Sequence, residues 1–203
     1  MYFIGKNMKP CKIVCFVIGE KLPEIVLHCL RNNKILCDIE KVSFEVIKLQ
    51  RDYAFSCPGV QVDYEKIKFL SNNYNCMVID YDIELFEIPD LKENENPLCG
   101  KWHNLMHDGR PDAFLMYSNS VHSQKFFECL LLKVDNIKKP LITGLVFKIL
   151  RYAKVDEYTC SYIHYNLNTG LTDIKDTIDT FNSIRLDLKI NAARLRNKDL
   201  WPL

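Results

Sequence analysis

Neither sign of charge predominates in this chain: 27 Lys and Arg face 26 Asp and Glu, a formal net charge of +1. Phosphate affinity comes mostly from excess positive charge, so a general nucleic-acid or anionic-membrane binder is not expected. Long apolar runs are missing too. No stretch approaches the ~20 residues of a membrane span, and Lys6, Asn7 and Lys9 break any signal-peptide core near the start. The chain has no Asn-x-Ser/Thr sequon. Its nine cysteines, at 11, 15, 29, 37, 57, 76, 99, 129 and 160, are scattered through apolar segments rather than spaced as a secreted disulfide framework. Reduced, mostly buried thiols in a soluble protein of the cytoplasm or nucleus are the expectation.

Catalytic signatures are equally sparse. The turn Gly19-Glu20-Lys21-Leu22-Pro23 follows an apolar strand pattern, where a nucleotide site would sit in a doubly wound fold. It lacks the second and third glycines that let backbone amides approach a pyrophosphate, and the Lys-Ser/Thr pair of a phosphate loop. It reads as an ordinary strand-to-helix connection. The Gly-x-Ser-x-Gly elbow of an α/β hydrolase is absent as well.

What is present is 48% hydrophobic and 26% charged over 203 residues, which suits one domain spanning 1–203. A domain of this size buries roughly 70% of its unfolded surface and needs neither disulfides nor a structural metal. Lys12–Ile18 is a near-continuous apolar run of the kind buried on both faces of a sheet. Leu22–Leu30, with Pro23 early and Leu22, Ile25, Val26, Cys29 and Leu30 on one face, reads as the helix after it. From Ile35 to Phe55 the alternation is looser and compatible with strands. Cys76–Ile88 reads as one strand whose second half has a wet face carrying Asp82 and Glu84. Pro89–Pro97 is a polar loop, followed by a short helix and a buried strand at Ala113–Tyr117. Leu141–Ala153 has helical spacing, Tyr158–Tyr165 reads as a strand, and Asp173 to Asn197 as a long amphipathic helix. The pattern predicts an α/β fold: a mixed, mostly parallel sheet flanked by helices, with that C-terminal helix attached.

Four groups of side chains invite a chemical reading. Cys99, His103 and His107 would share a face of a helix and are zinc-ligand types, but no fourth ligand or supporting carboxylate accompanies them, so a surface helix is preferred and no metal is expected. Ser118, Ser120 and His122 follow a buried strand, yet nothing selects a nucleophile, and a polar strand-to-helix loop is preferred. His164 reads as a core or edge histidine. Residues 185–203 hold Arg185, Lys189, Arg194, Arg196 and Lys198 against Asp187 and Asp199, a local charge of +3. Leu200, Trp201 and Leu203 at the end of that basic segment would expose apolar area unless they packed on the domain or on a partner.

The succession from Pro140 to Ile184 (PLITGLVFKILRYAKVDEYTCSYIHYNLNTGLTDIKDTIDTFNSI), with Lys12–Gly19 and Ala113–Tyr117, resembles the first subunit of the heterodimeric proteasome assembly chaperone over about half the chain. The resemblance implies a non-enzymatic chaperone that pairs with a second, related subunit and binds proteasome α subunits during assembly of their ring. It also implies docking through the tail, residues 198–203. The family ends in hydrophobic, Tyr, any residue; here the end is Trp201, Pro202 and Leu203, with Pro where Tyr is expected. Leu200, Trp201, Pro202 and Leu203, with Arg194 and Arg196, are then the expected partner-binding residues, and no cofactor is expected. The alternative is an α/β enzyme or small-molecule-binding protein with its site at the strand carboxyl-end loops near Gly19 and Ser118.

Overall fold

The computed structural model describes residues 7–88, 91–92, 98–101, 111–136, 162–164 and 173–175. In chain order its elements are β1 (Asn7–Met8), β2 (Lys12–Ile18), α1 (Glu24–Glu40), β3 (Ser43–Leu49), α2 (Pro58–Asn72), β4 (Cys76–Ile79), β5 (Ile83–Leu85), β6 (Leu91–Lys92), β7 (Leu98–Lys101), β8 (Pro111–Ser118), α3 (Val121–Asp135), β9 (Tyr162–His164) and β10 (Asp173–Lys175).

The main sheet has the order β3-β2-β4-β8-β7. Strands β3, β2 and β4 are parallel, while β8 runs antiparallel to both β4 and β7. Four of its five strands therefore point the same way, the mixed, mostly parallel α/β sheet expected. Two shorter sheets, β1-β6 and β10-β9-β5, are antiparallel.

Strand β2 is the hub because its apolar residues can be covered on both sides. Val14 and Phe16 face a cluster with Val60, Ile67 and Leu70 of α2, Phe127 and Leu130 of α3, and Val78 and Met116 of the sheet. Ile13 and Cys15 face the opposite cluster, with Cys37 of α1, Met77, Ile79, Leu115, Tyr117 and the buried Ile83 and Leu85 of β5. Helices α1 and α2 thus cover opposite faces. Right-handed crossovers require this, because the chain leaves β2 through α1 to β3 on one side and returns through α2 to β4 on the other.

Several expectations are revised. The helix after Pro23 continues to Glu40, through the start of the segment read as loosely alternating. It ends where Lys41 takes a left-handed conformation and Val42 N–H returns to Cys37 O at 2.8 Å. Cys76–Ile88 is not one strand: the chain turns after Ile79, with Ile83 N–H donating to Asp80 O at 3.2 Å. Its supposed wet face is buried, since α1 and β9 lie on either side of β5 and Asp82 and Glu84 are covered. Cys99 lies in a strand rather than on a helix. Asp173–Lys175 opens no helix: it pairs as a strand with β9. The helix at Leu141–Ala153 and the rest of the C-terminal helix lie outside the described residues. Among the described residues no helix is long and apolar enough to cross a membrane.

Candidate functional site

The winding reverses between β2 and β4: the first crossover goes to one side of β2 and the second to the other. At such a switch point two strand-to-helix connections diverge and leave a crevice at the strands' carboxyl ends, where open α/β sheets bind ligands. In this chain that edge carries Gly19 after β2, the loop after β3 and Asp80-Tyr81-Asp82 after β4.

The acidic pair comes from a tight turn. Four buried residues, Cys76–Ile79, bring the chain to the edge, and the Asp80–Ile83 turn then sends it into β5. Asn33, wholly buried on α1, fixes the exit: its Nδ2 donates to Ile83 O at 2.7 Å, and its Oδ1 accepts from Leu85 N–H at 2.8 Å. One amide thus replaces a strand partner along the edge of β5 that β9 does not cover. Beside it, Asn32 Nδ2 donates to Glu84 Oε1 at 2.6 Å, and His28 Nε2 lies 3.3 Å from Glu84 Oε2.

Lys66 reaches the same place from α2. Its side chain is 0% exposed, and its ammonium pairs with Asp80 and lies 3.4 Å from Asp63 Oδ1. Burial, reinforced by the charges of Asp82 and Asp63, pushes the Asp80 carboxyl up to about 7 against the pull of Lys66. Burial also pushes the Tyr81 phenol up to about 12, helped by Asp82 and Asp80. Asp80 and Asp63 lie against the ammonium and the charge of Asp82 bears on Asp80, so carboxyl groups outnumber the one ammonium, an arrangement suited to an added cation.

The neighbouring loop is also held. Gln61 of α2 donates through Nε2 to Gln50 O at 2.7 Å and accepts from Asp52 N–H at 2.9 Å. Arg51 donates to Phe55 O at 2.9 Å, and its guanidinium stands 5.2 Å from the centre of the Tyr53 ring. Gly19 has φ +109°, a conformation glycine adopts readily and other residues rarely do.

Of the side chains singled out in the sequence, Gly19 stands at this crevice and Ser118 does not. Because β8 is antiparallel, Ser118 pairs with Cys76 at the opposite end of β4. Gly19 and Ser118 are therefore at opposite edges of the sheet and share no site. Ser120 serves the backbone: its Oγ accepts from Ser123 N–H at 2.9 Å, and Ser123 Oγ accepts from Ser120 N–H at 2.9 Å, a reciprocal cap on α3. His122 is exposed on that helix's first turn. His164 lies in β9, paired with Ile83. His103, His107, Arg194, Arg196 and Leu200–Leu203 lie outside the described residues. Sequence patterning does not single out Lys66, Asp80 and Asp82 as a site, although a signal is present as two carboxylates, two residues apart, directly after four apolar strand residues.

Asp80 and Asp82 offer only carboxylate oxygens, which suit Mg²⁺, Mn²⁺ or Ca²⁺ rather than a soft metal. Among the described residues no group of three or more His, Cys, Asp and Glu is placed to hold an ion by itself. A cation here would take part of its coordination from a bound ligand, as Mg²⁺ commonly does with one or two carboxylates and substrate phosphates.

No protein-family model matches the chain, and no curated protein matches it. Among solved structures the chain is similar to a glycosyltransferase involved in the glycosylation of the major capsid of PBCV-1, with a TM-score of 0.50 and 8% sequence identity over 70% of this chain and 76% of that one. At that identity the likeness concerns the fold alone.

Proposed function

We propose that this chain is a glycosyltransferase-type domain that binds a nucleotide sugar through its diphosphate, with a divalent cation, at the carboxyl edge of β2 and β4. The observation that carries the reading is Asp80-Tyr81-Asp82, leaving β4 at the switch point with the buried Lys66 ammonium against Asp80. The fold likeness to a glycosyltransferase supports it.

Asp82, with Asp80, would hold the cation, which when bound neutralises charge on a departing diphosphate. Lys66 balances the carboxylates before a ligand arrives and keeps the Asp80 side chain aimed at the edge. Asn33 holds the Asp82-bearing turn in place through β5. The Gln61-bound loop after β3 forms the far wall. The test is release of nucleoside diphosphate from a panel of nucleotide sugars with Mn²⁺: turnover of at least one donor, lost in Asp82→Asn, is expected, whereas no turnover across the panel rejects the reading.

A second reading is favoured by the basic, apolar-tipped tail. In it the chain is an assembly chaperone that pairs with a related subunit and docks on proteasome α subunits through Arg194, Arg196, Leu200, Trp201, Pro202 and Leu203. Its support is the sequence pattern. Deleting residues 200–203 tests it: lost partner capture with an intact fold supports tail docking, and unchanged capture overturns it.

A further inference from the structure

At the other end of the sheet two thiols meet. Cys11 immediately precedes β2, and Cys76 opens β4; their Sγ atoms are 3.8 Å apart. Cys11 continues the strand ladder, donating through its N–H to Asn75 O at 2.8 Å and accepting from Ser43 N–H at 3.2 Å. Lys12 is the register partner of Cys76, so Cys11 and Cys76 are offset by one residue on adjacent strands. A strand spacing of about 4.8 Å and a rise of about 3.3 Å put their Cα atoms roughly 5.8 Å apart. That falls within the range of roughly 4.4–6.8 Å that a disulfide spans. Cys11 is exposed and Cys76 is buried, and both thiols donate to Tyr74 O, at 3.8 and 3.3 Å.

We propose that Cys11 and Cys76 form a modification site: a dithiol that a small-molecule disulfide of the glutathione class oxidises reversibly to an intramolecular bond tying β2 to β4. The exposed Cys11 thiolate attacks one sulfur of the disulfide; that S–S bond breaks, and one glutathione leaves as thiolate and takes up a proton. Cys76 Sγ then attacks Cys11 Sγ, and the second glutathione leaves with the proton Cys76 gives up. The two protein thiols lose two electrons and two protons, and the small disulfide gains them. Burial, with Cys11 alongside, pushes the Cys76 thiol up to about 12, which makes Cys11 the first attacker. Of the other cysteines with described side chains, Cys15, Cys29 and Cys37 are buried, while Cys57 and Cys129 are exposed on α2's cap and on α3.

The test is treatment of the folded full chain with glutathione disulfide, alkylation of remaining thiols in denaturant and peptide mapping by mass spectrometry. The expected result is a peptide linking Cys11 to Cys76, protected from alkylation, reversed by dithiothreitol, retained in Cys129→Ser and absent in Cys11→Ser. Circular dichroism confirms that the exposed-site variant Cys11→Ser is folded. Glutathione remaining on Cys11 with Cys76 still alkylated, or links formed only through other cysteines, overturns the proposal.

Discussion

Lys66 holds its ammonium against the Asp80 carboxylate from a side chain that is 0% exposed, while the Asp80 side chain keeps 28% of its surface exposed, so α2 and the end of β4 are joined by a pair that is dry on the lysine side only. Removing the lysine leaves a partly exposed carboxyl that already stands at about 7 and can take up a proton, so the cost is that of a partly exposed pair, about 1 kcal/mol, rather than that of a stranded buried ion. Lys66→Met should therefore lower unfolding free energy by about that much, measured by urea denaturation at neutral pH. Lys66→Met with Asp80→Asn should recover part of the loss. A single variant as stable as the parent would mean that the ion pair is not made.

Asp80 also gives stability a pH dependence of defined sign. Its carboxyl stands at about 7 in the folded chain, against an ordinary value of 3.8, mainly through burial. Between those values the folded state binds more protons than the unfolded one, so this contribution is fully present below the unfolded value and lost as pH rises through the folded one. The stability of the parent relative to Asp80→Asn should accordingly fall between about pH 5 and about pH 7.5. Paired denaturation curves at both conditions check it, and a pH-independent difference would contradict it.

Asn33 satisfies both Ile83 O and Leu85 N–H with one side chain. Asn33→Leu strands both groups in the interior, each worth roughly 1–3 kcal/mol. The expected outcome is a loss of that order in urea denaturation, with faster hydrogen exchange at the Leu85 amide. Nucleotide binding should weaken too, because β5 sets the position of the turn carrying Asp82.

Ser120 caps a helix and performs no chemistry in this reading. Ser120→Ala should cost about 1 kcal/mol, the usual value of a lost N-cap, and leave nucleotide-sugar turnover unchanged. Turnover abolished in a folded Ser120→Ala protein would place chemistry at the Ser118 edge instead.

The legible parts of the sequence are those in which packing alone decides. Ile13–Ile18 of β2 and the core of β8 are unbroken apolar runs, and both lie in central strands. Helix α2 is hard to see in the sequence because its inward face is not apolar throughout: Gln61 and Lys66 occupy buried positions to hold the β3 loop and Asp80. Those polar residues interrupt the 3.6-residue stripe that marks a helix. The break between β4 and β5 is hidden for a related reason. Glu84 looks like the polar side of an alternating strand until α1 brings Asn32 and His28 to it from a distant part of the chain. The acidic pair itself stands in plain view; its meaning depends on β4 lying beside β2, a relationship between strands that periodicity does not carry.

The most direct measurement is calorimetric titration of uridine and guanosine diphosphates into the full chain with and without Mn²⁺, repeated with Asp82→Asn. The expected result is binding of at least one nucleotide that requires Mn²⁺ and weakens at least roughly 10-fold in the folded variant. Absence of Mn²⁺-dependent binding to the parent, or equal binding to Asp82→Asn, would contradict a nucleotide-sugar site at Asp80-Tyr81-Asp82.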